Sequence, residues 1–157
     1  MPEHRHEREQ SADAIAMLKE DHQRVRDLFQ EYDAARDPRV QRVIAEEACT
    51  EIALHAQVEE EMLYPAVEDA VEVERQEFVE DSLREHQAMK DVIRALREMG
   101  PDDPHFAATF HELQVLVAYH VAKEEADMFP LAQEALAEDL DEMREEMQEL
   151  KKELMAS

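Results

Sequence analysis

Histidine and glutamate at helical spacing are the residues through which this chain could do chemistry. His55 precedes Glu59 by four positions, and His120 precedes Glu124 by four. On a helix that spacing puts both side chains on one face, with Cβ atoms about 5–6 Å apart. One metal ion can be reached by both, at about 2.0–2.2 Å from each ligand atom. A buried carboxylate with no cation beside it is expensive or protonates. His22 and His86 fall on the apolar stripes of two further helices. A lone core histidine is commonly just a hydrogen-bonded structural residue. Four of them in four successive helices are different, because each needs its own buried partner.

An internal repeat ties these residues together. The segment HAQVEEEMLYP from His55 matches HVAKEEADMFP from His120 in His, Glu at +4, Glu at +5, an aromatic at +9 and Pro at +10. Upstream, Asp21-His22-Gln23 matches Glu85-His86-Gln87, and Asp27 matches Asp91. The offsets are 64 (22 to 86) and 65 (55 to 120). The chain reads as two copies of a helical hairpin, each giving a histidine from its first helix and HxxxE from its second. Packed with pseudo-two-fold symmetry, they bring His22, His55, Glu59, His86, His120 and Glu124 to one place, as in bundles that build di-metal centres. Four neutral imidazoles and two carboxylates carry −2, and divalent ions bridged by the glutamates can neutralise it. The mixed donor set suits Fe, Mn or Zn and disfavours Mg or Ca. Cys49 is the single cysteine, so there is no intrachain disulfide and no thiolate ligand set. It reads as a small buried or half-buried residue.

The elements that position these residues are helices. One glycine and six prolines leave little turn chemistry, and good helix formers dominate. The first stripe is Ile15, Leu18, His22, Val25, Phe29, Tyr32, capped by Ser11 or Asp13 and ended at Asp37-Pro38. The second carries Val40, Ile44, Ala48, Glu51 or Ile52, His55, Glu59 and Met62. Pro65, which has no amide hydrogen, is predicted to break or kink it. The third runs from about residue 75 to 99 with Val79, Ser82, His86, Met89, Ile93 and Leu96. Gly100-Pro101 stops it, and Asp103-Pro104 restarts the chain as N-cap and first helical residue. The fourth carries Phe110, Leu113, Val117, His120, Glu124 and Met128 and meets Pro130. Leu136, Leu140, Met143, Met147, Leu150 and Leu154 then follow in heptad steps. The expectation is an all-α, up-down four-helix bundle of two repeated hairpins over 11–135. A mobile tail precedes it over 1–10, and a C-terminal heptad-patterned helix follows over 136–157.

Composition narrows the function classes. The net charge of −24 repels phosphate backbones and anionic lipid, so nucleic acid and membranes are not expected partners. No apolar run approaches a membrane span and the N-terminus has no apolar signal core, so the chain reads as cytoplasmic. A single glycine excludes phosphate-cradling loops and a nucleophile elbow.

Taken together, His22, His55-xxx-Glu59 ending in Tyr64-Pro65, Glu85-His86, and His120-xxx-Glu124 ending in Phe129-Pro130 resemble the hemerythrin-like family, the HHE cation-binding domains. The resemblance covers about residues 11–135. It implies two iron ions in a non-haem, oxo-bridged di-iron site whose carboxylates bridge the metals. It also implies dioxygen, peroxide or nitric oxide as the small-molecule partner. One departure stands out. The oxygen carriers show HxxEH on the third helix, whereas this chain has Ser82-Leu83-Arg84-Glu85-His86. Two octahedral metals offer about 12 positions, of which this set and one bridging oxygen fill about 10. Water or Glu51 could take a remaining position. Tyr64, Phe129, Tyr32 and Phe29 are expected to wall the site from water. Glu60 and Glu125 point about 100° away from the ligand glutamates, His105 and His111 read as exposed, and Tyr119 should face a neighbouring helix.

The sequence thus supports a di-iron protein that binds dioxygen, peroxide or nitric oxide. Beside it stand a di-iron enzyme decomposing hydrogen peroxide, an iron-binding or storage protein, and a helical interaction module. The heptads over 136–154 allow self-association or folding back on the bundle.

Overall fold

The computed structural model describes residues 13–156. The expected tail over 1–10 with His4 and His6, and Ser11 as a cap, lie outside the described residues. All regular structure among the described residues is helical.

Asp13 caps α1 (Ala14–Ala34), its Oδ1 accepting from the Ala16 amide at 3.0 Å. Asp37 caps α2 (Pro38–Val58) by accepting from the Arg39 amide at 2.9 Å, with Pro38 in the first turn, where a missing amide hydrogen costs nothing. Gln41 Nε2 donates to the Tyr32 and Ala35 carbonyls at 3.2 and 3.0 Å and pins the connection. The other helices are α3 (Tyr64–Ala70), α4 (Glu77–Glu98), α5 (Phe106–Lys123), α6 (Phe129–Ala135) and α7 (Leu140–Ala156). α1 packs on α2 and α4 on α5 as two hairpins, and α3 meets α6.

Pro65 does not break its helix. A π-helical turn, Glu59–Leu63, carries α2 straight into α3, and the Tyr64 amide donates to the Glu59 carbonyl. Pro130 is passed in the same way by Glu124–Met128, with the Phe129 amide on the Glu124 carbonyl. In a regular helix each proline ring would press on the carbonyl four residues back. The wider turn relieves that clash and adds one residue to the coil. Both turns begin at the predicted ligand glutamates. α5 starts at Phe106 rather than Pro104, because residues 101–105 form a turn in which Asp103 accepts from the His105 amide at 2.8 Å. Val40 is largely exposed, so the buried stripe of α2 begins further along, near Ala45.

The apolar interior falls into two clusters. One gathers Ile15, Leu18, Leu63, Val67, Met128 and Phe129. The other gathers Val25, Ile52, Ile93, Phe110, Leu113 and Val117. The buried polar side chains Asp21, His22, His55, Glu59, Ser82, His86, His120 and Glu124 supply the remaining interior.

α7 folds back on the bundle. Its heptad residues Leu140 and Met147, and Leu136 just before it, are buried in the first cluster, with Met143, Leu150 and Leu154 packed against it. Arg144 Nη1 donates to the Asp13 carbonyl at 3.2 Å. The stripe that could have paired two copies is therefore used within one chain, which removes the ground for self-association through this helix. Met147 has no exposed surface, so Met147→Ala is expected to lower stability by about 2–5 kcal/mol. A denaturant midpoint unchanged from wild type would show that α7 adds nothing to the fold. Among the described residues, no helix is long and apolar enough to cross a membrane.

Candidate metal centre

The six side chains singled out by the repeat converge, each at most 8 % exposed. They form two groups that share both glutamates: His22, His55, Glu59 and Glu124, and Glu59, His86, His120 and Glu124. Within each group the candidate ligand atoms lie within 4.8 Å of one another. His22 Nε2 is 3.1 Å from Glu124 Oε1, and His55 Nε2 is 3.2 Å from Glu59 Oε1. On the other side, His86 Nε2 is 3.2 Å from Glu59 Oε1 and His120 Nε2 is 3.3 Å from Glu124 Oε2.

Every one of the four imidazoles turns its Nδ1 to a carboxylate outside this set. His55 faces Asp21 at 3.0 Å and His120 faces Glu85 at 2.7 Å. His22 faces Glu125 and His86 faces Glu60, both at 2.8 Å. The repeat makes the pattern intelligible. Asp21 and its counterpart Glu85 each hold the second-helix histidine of their own hairpin. Glu60 and its counterpart Glu125 each hold the first-helix histidine of the other hairpin. A carboxylate on Nδ1 fixes the tautomer, places N–H there and leaves the Nε2 lone pair facing inward. Each outer carboxylate in turn accepts from a cation through its second oxygen. Lys151 reaches Asp21 at 2.9 Å, Lys123 reaches Glu85 at 2.9 Å, Lys90 reaches Glu60 at 2.7 Å and Arg26 reaches Glu125 at 3.2 Å.

This donor chemistry fits a metal and fits little else. The Nε2 atoms of His22 and His55 are 3.1 Å apart, as are those of His86 and His120. Two lone pairs cannot bond each other, so each pair needs a proton or a cation between them. Among the described residues, Glu59 Oε2 is the one buried side-chain polar atom with no hydrogen-bond partner. Without metal, protons do the work. Burial opposes charge on His55, but Glu59, Asp21 and Glu124 raise its pKa well above the ordinary value. His120 is raised to about 9 against burial, chiefly by Glu124, and His86 is raised by Glu59 and Glu60. Burial likewise opposes ionisation of Glu124, yet His120, His22 and His55 hold its pKa well below the usual carboxylate range. A proton that sits on Nε2 is a proton that a metal must displace.

The two halves differ at one position that bears on the chemistry. Tyr64 sends its hydroxyl into the site, donating to Glu124 and lying 3.2 Å from both Glu59 Oε1 and His86 Nε2. Ser82, where the oxygen carriers have histidine, is a small buried side chain that leaves this space. The counterpart of Tyr64 is Phe129, which stacks on His22 with centroids 5.4 Å apart. Glu51 does not turn to the space beside Ser82; it pairs with Arg24 at 3.0 Å. Tyr32 and Phe29 pack on Phe110 in the far apolar cluster and do not wall the site. Tyr119 is exposed, as are His105 and His111.

Asp21 and Glu85 escaped the sequence reading as histidine partners, and so did the hydroxyl of Tyr64. A signal existed for the first two, since both precede a site histidine and both are conserved across the internal repeat.

A helical bundle with a His/Glu cluster able to bind metal defines the class of protein. The chain belongs to the hemerythrin HHE cation-binding domain family, which matches residues 13–132 and again 78–157. Among curated relatives, it is 29% identical over 114 residues to a protein of Nostoc sp. named DNA nickase. It is 25% identical over 119 residues to an uncharacterized hemerythrin-like protein of Schizosaccharomyces pombe. The matches take in 72% and 76% of this chain but only 31% and 59% of those two proteins. A crystal structure of a hemerythrin HHE cation-binding domain-containing protein from Mycobacterium kansasii shares the fold. Its TM-score is 0.76 at 22% identity, over 90% of this chain and 86% of that one.

Proposed function

We propose that the chain holds two iron ions on His22, His55, His86, His120, Glu59 and Glu124, and that a ligand the size of dioxygen, nitric oxide or peroxide binds beside them. The observation that carries the choice of ligand is a cavity of about 20 Å³ bordered by all four histidines and lined by Val25, Ile52, Met89, Val117 and Val121. A water molecule needs about 10–15 Å³, so the space suits one small molecule. Its apolar wall favours a neutral diatomic.

Bound iron would supply the redox and ligand-binding chemistry. The chain's own groups do the rest. The four outer carboxylates hold the imidazoles in one orientation, so no rearrangement is needed when a ligand arrives. Glu59 and Glu124, common to both groups, would each reach both ions. In the metal-free chain burial, with Glu59 and Glu124, holds the Tyr64 phenol protonated far above neutral pH. It is a hydrogen-bond donor already inside the site.

That donor favours a second reading, disproportionation of hydrogen peroxide, in which one peroxide is oxidised to dioxygen and another reduced to water with no outside reductant. Both readings are tested on iron-loaded protein. Ligand binding predicts a saturable change in the visible spectrum on titration with nitric oxide or dioxygen. Enzymatic turnover predicts steady peroxide loss faster than by free iron, slowed in Tyr64→Phe. Absence of both responses would sink the small-molecule assignment. A nucleic-acid role is not proposed: the charge is −24, and the Nostoc match spans 31% of that protein.

A further inference from the structure

The four histidine–carboxylate–cation chains are not built alike. Arg26 and Lys90, which serve Glu125 and Glu60, are counterparts in the repeat and come from α1 and α4. Lys123, which serves Glu85, stands three residues after His120 on α5. Its counterpart, three residues after His55, is Val58, a buried apolar side chain. The first hairpin therefore has no lysine of its own at this place for Asp21. Arg24 lies 3.5 Å from Asp21 Oδ1 but spends its closer contact, 3.0 Å, on Glu51. The cation for Asp21 comes instead from α7, where Lys151 Nζ sits 2.9 Å from Oδ1 while Oδ2 faces His55.

Asp21 is also the outer carboxylate that most needs a partner. Its side chain is 4 % exposed, against 18 % for Glu85, 24 % for Glu60 and 28 % for Glu125. Water can solvate the other three if a cation leaves, but it reaches Asp21 poorly. The same helix that brings Lys151 is seated by Met147 and Leu140 in the apolar cluster. Movement of α7 therefore takes Lys151 from Asp21, leaves only the longer Arg24 contact, and loosens the residue that aims His55.

We propose that docking of the C-terminal helix and occupation of the His22/His55 metal position are coupled through Lys151, Asp21 and His55, with Lys151 the positioning residue. Coupling of this kind is reciprocal. A seated α7 tightens that metal position, and a metal there tightens α7. The His86/His120 position, whose chains close within α4, α5 and the π turn after α2, lacks this link. The proposal rests on the two-metal reading above.

The test compares hydrogen exchange of the α7 amides in full-length protein, metal-free and loaded with ferrous iron without oxygen, with iron retention against a chelator measured alongside. In wild type, loading is expected to slow exchange across 140–156. Lys151→Met keeps the apolar stem and removes the charge. It should release one iron equivalent about 10-fold more readily and lose the iron-dependence of α7 exchange. Lys123→Met should weaken one equivalent by a similar factor and keep that dependence, and Lys151→Arg should restore it. Two bound irons with α7 exchange indifferent to them in wild type would overturn the coupling alone. So would iron retention and α7 exchange in Lys151→Met that match wild type. A wild-type chain that takes up no iron overturns the metal reading and the coupling with it.

Discussion

A His55→Ala, His120→Ala chain is expected to purify from iron-supplemented cells with background metal, while the wild-type chain retains about two irons. The pair is chosen because each histidine belongs to a different group of four. Each substitution also frees a carboxylate, Asp21 or Glu85, that had been aiming the lost ring. Glu124→Gln makes the sharper comparison. Glu124 belongs to both groups, so one neutral amide should weaken both metals, whereas His55→Ala alone should spare the His86/His120 position. The difference extends to stability, since a bound metal stabilises the fold by mass action. Thermal midpoints of wild type should rise on loading, and those of the double variant should not move. Equal metal content in wild type and double variant, by elemental analysis, would refute the centre.

In the metal-free chain, stability is expected to fall between pH 6.5 and 9, the reverse of the metal-loaded chain. The sign follows from the histidines. His120 has a folded pKa of about 9 against an ordinary 6.5. A raised pKa contributes stability that is fully present below 6.5 and is lost as pH rises through 9. For His120 alone the shift corresponds to about 3 kcal/mol. His55 and His86 move in the same direction, but the three share Glu59 and Glu124, so their effects do not add. At the acid end the carboxylates act oppositely. Burial resists ionisation of Asp21, but His55 and Lys151 lower its pKa from 3.8 to about 2. Its contribution is present above pH 3.8 and lost as pH falls through 2. Metal-free protein should therefore be most stable at mildly acidic pH. Metal binding must displace the protons on Nε2, so the loaded chain should gain over the window where the empty one loses. Urea unfolding at pH 6.5 and 9, with and without metal, reads both slopes. A metal-free chain equally stable at the two values would mean that the site histidines are already neutral.

The six clustered side chains could be read from the sequence because helical spacing and duplication both constrain them. His55 with Glu59 is a weak signal, but its recurrence as His120 with Glu124 in a matching frame is a strong one. The groups around the ligands were harder to read. Glu60, Glu85 and Glu125 are three among 41 acidic residues; the repeat marks their positions, but their histidine partners sit on other helices and only the packing reveals the pairing. Glu125 finds His22 only because the two hairpins pack with opposed frames. A break or kink was expected at Pro65 because the rule assumes a regular helix, while a π turn carries the helix past Pro65, and likewise past Pro130, and removes the clash that the rule describes. The heptads of α7 were compatible with docking in cis or with a second copy, and the choice depended on whether the bundle left a groove for it. Tyr64 had been placed at the site as a wall. The proximity was legible, but the direction of its hydroxyl depends on the space beside Ser82.

The reciprocal contacts of Glu60 with His86 and Glu125 with His22 have the form of an isologous interface, the kind that relates identical subunits by a two-fold axis. The chain is, in that sense, a homodimer written once. Identical subunits are bound to present the same residue on both sides of the axis. A fused pair is free of that obligation. Tyr64 opposite Phe129, Ser82 opposite Leu18 and Val58 opposite Lys123 are liberties of this kind, and a symmetric ancestor could have had none of them. Covalent fusion is what lets one interior offer a hydroxyl beside His86 and a bare ring beside His22, so that two groups of common design need not be alike.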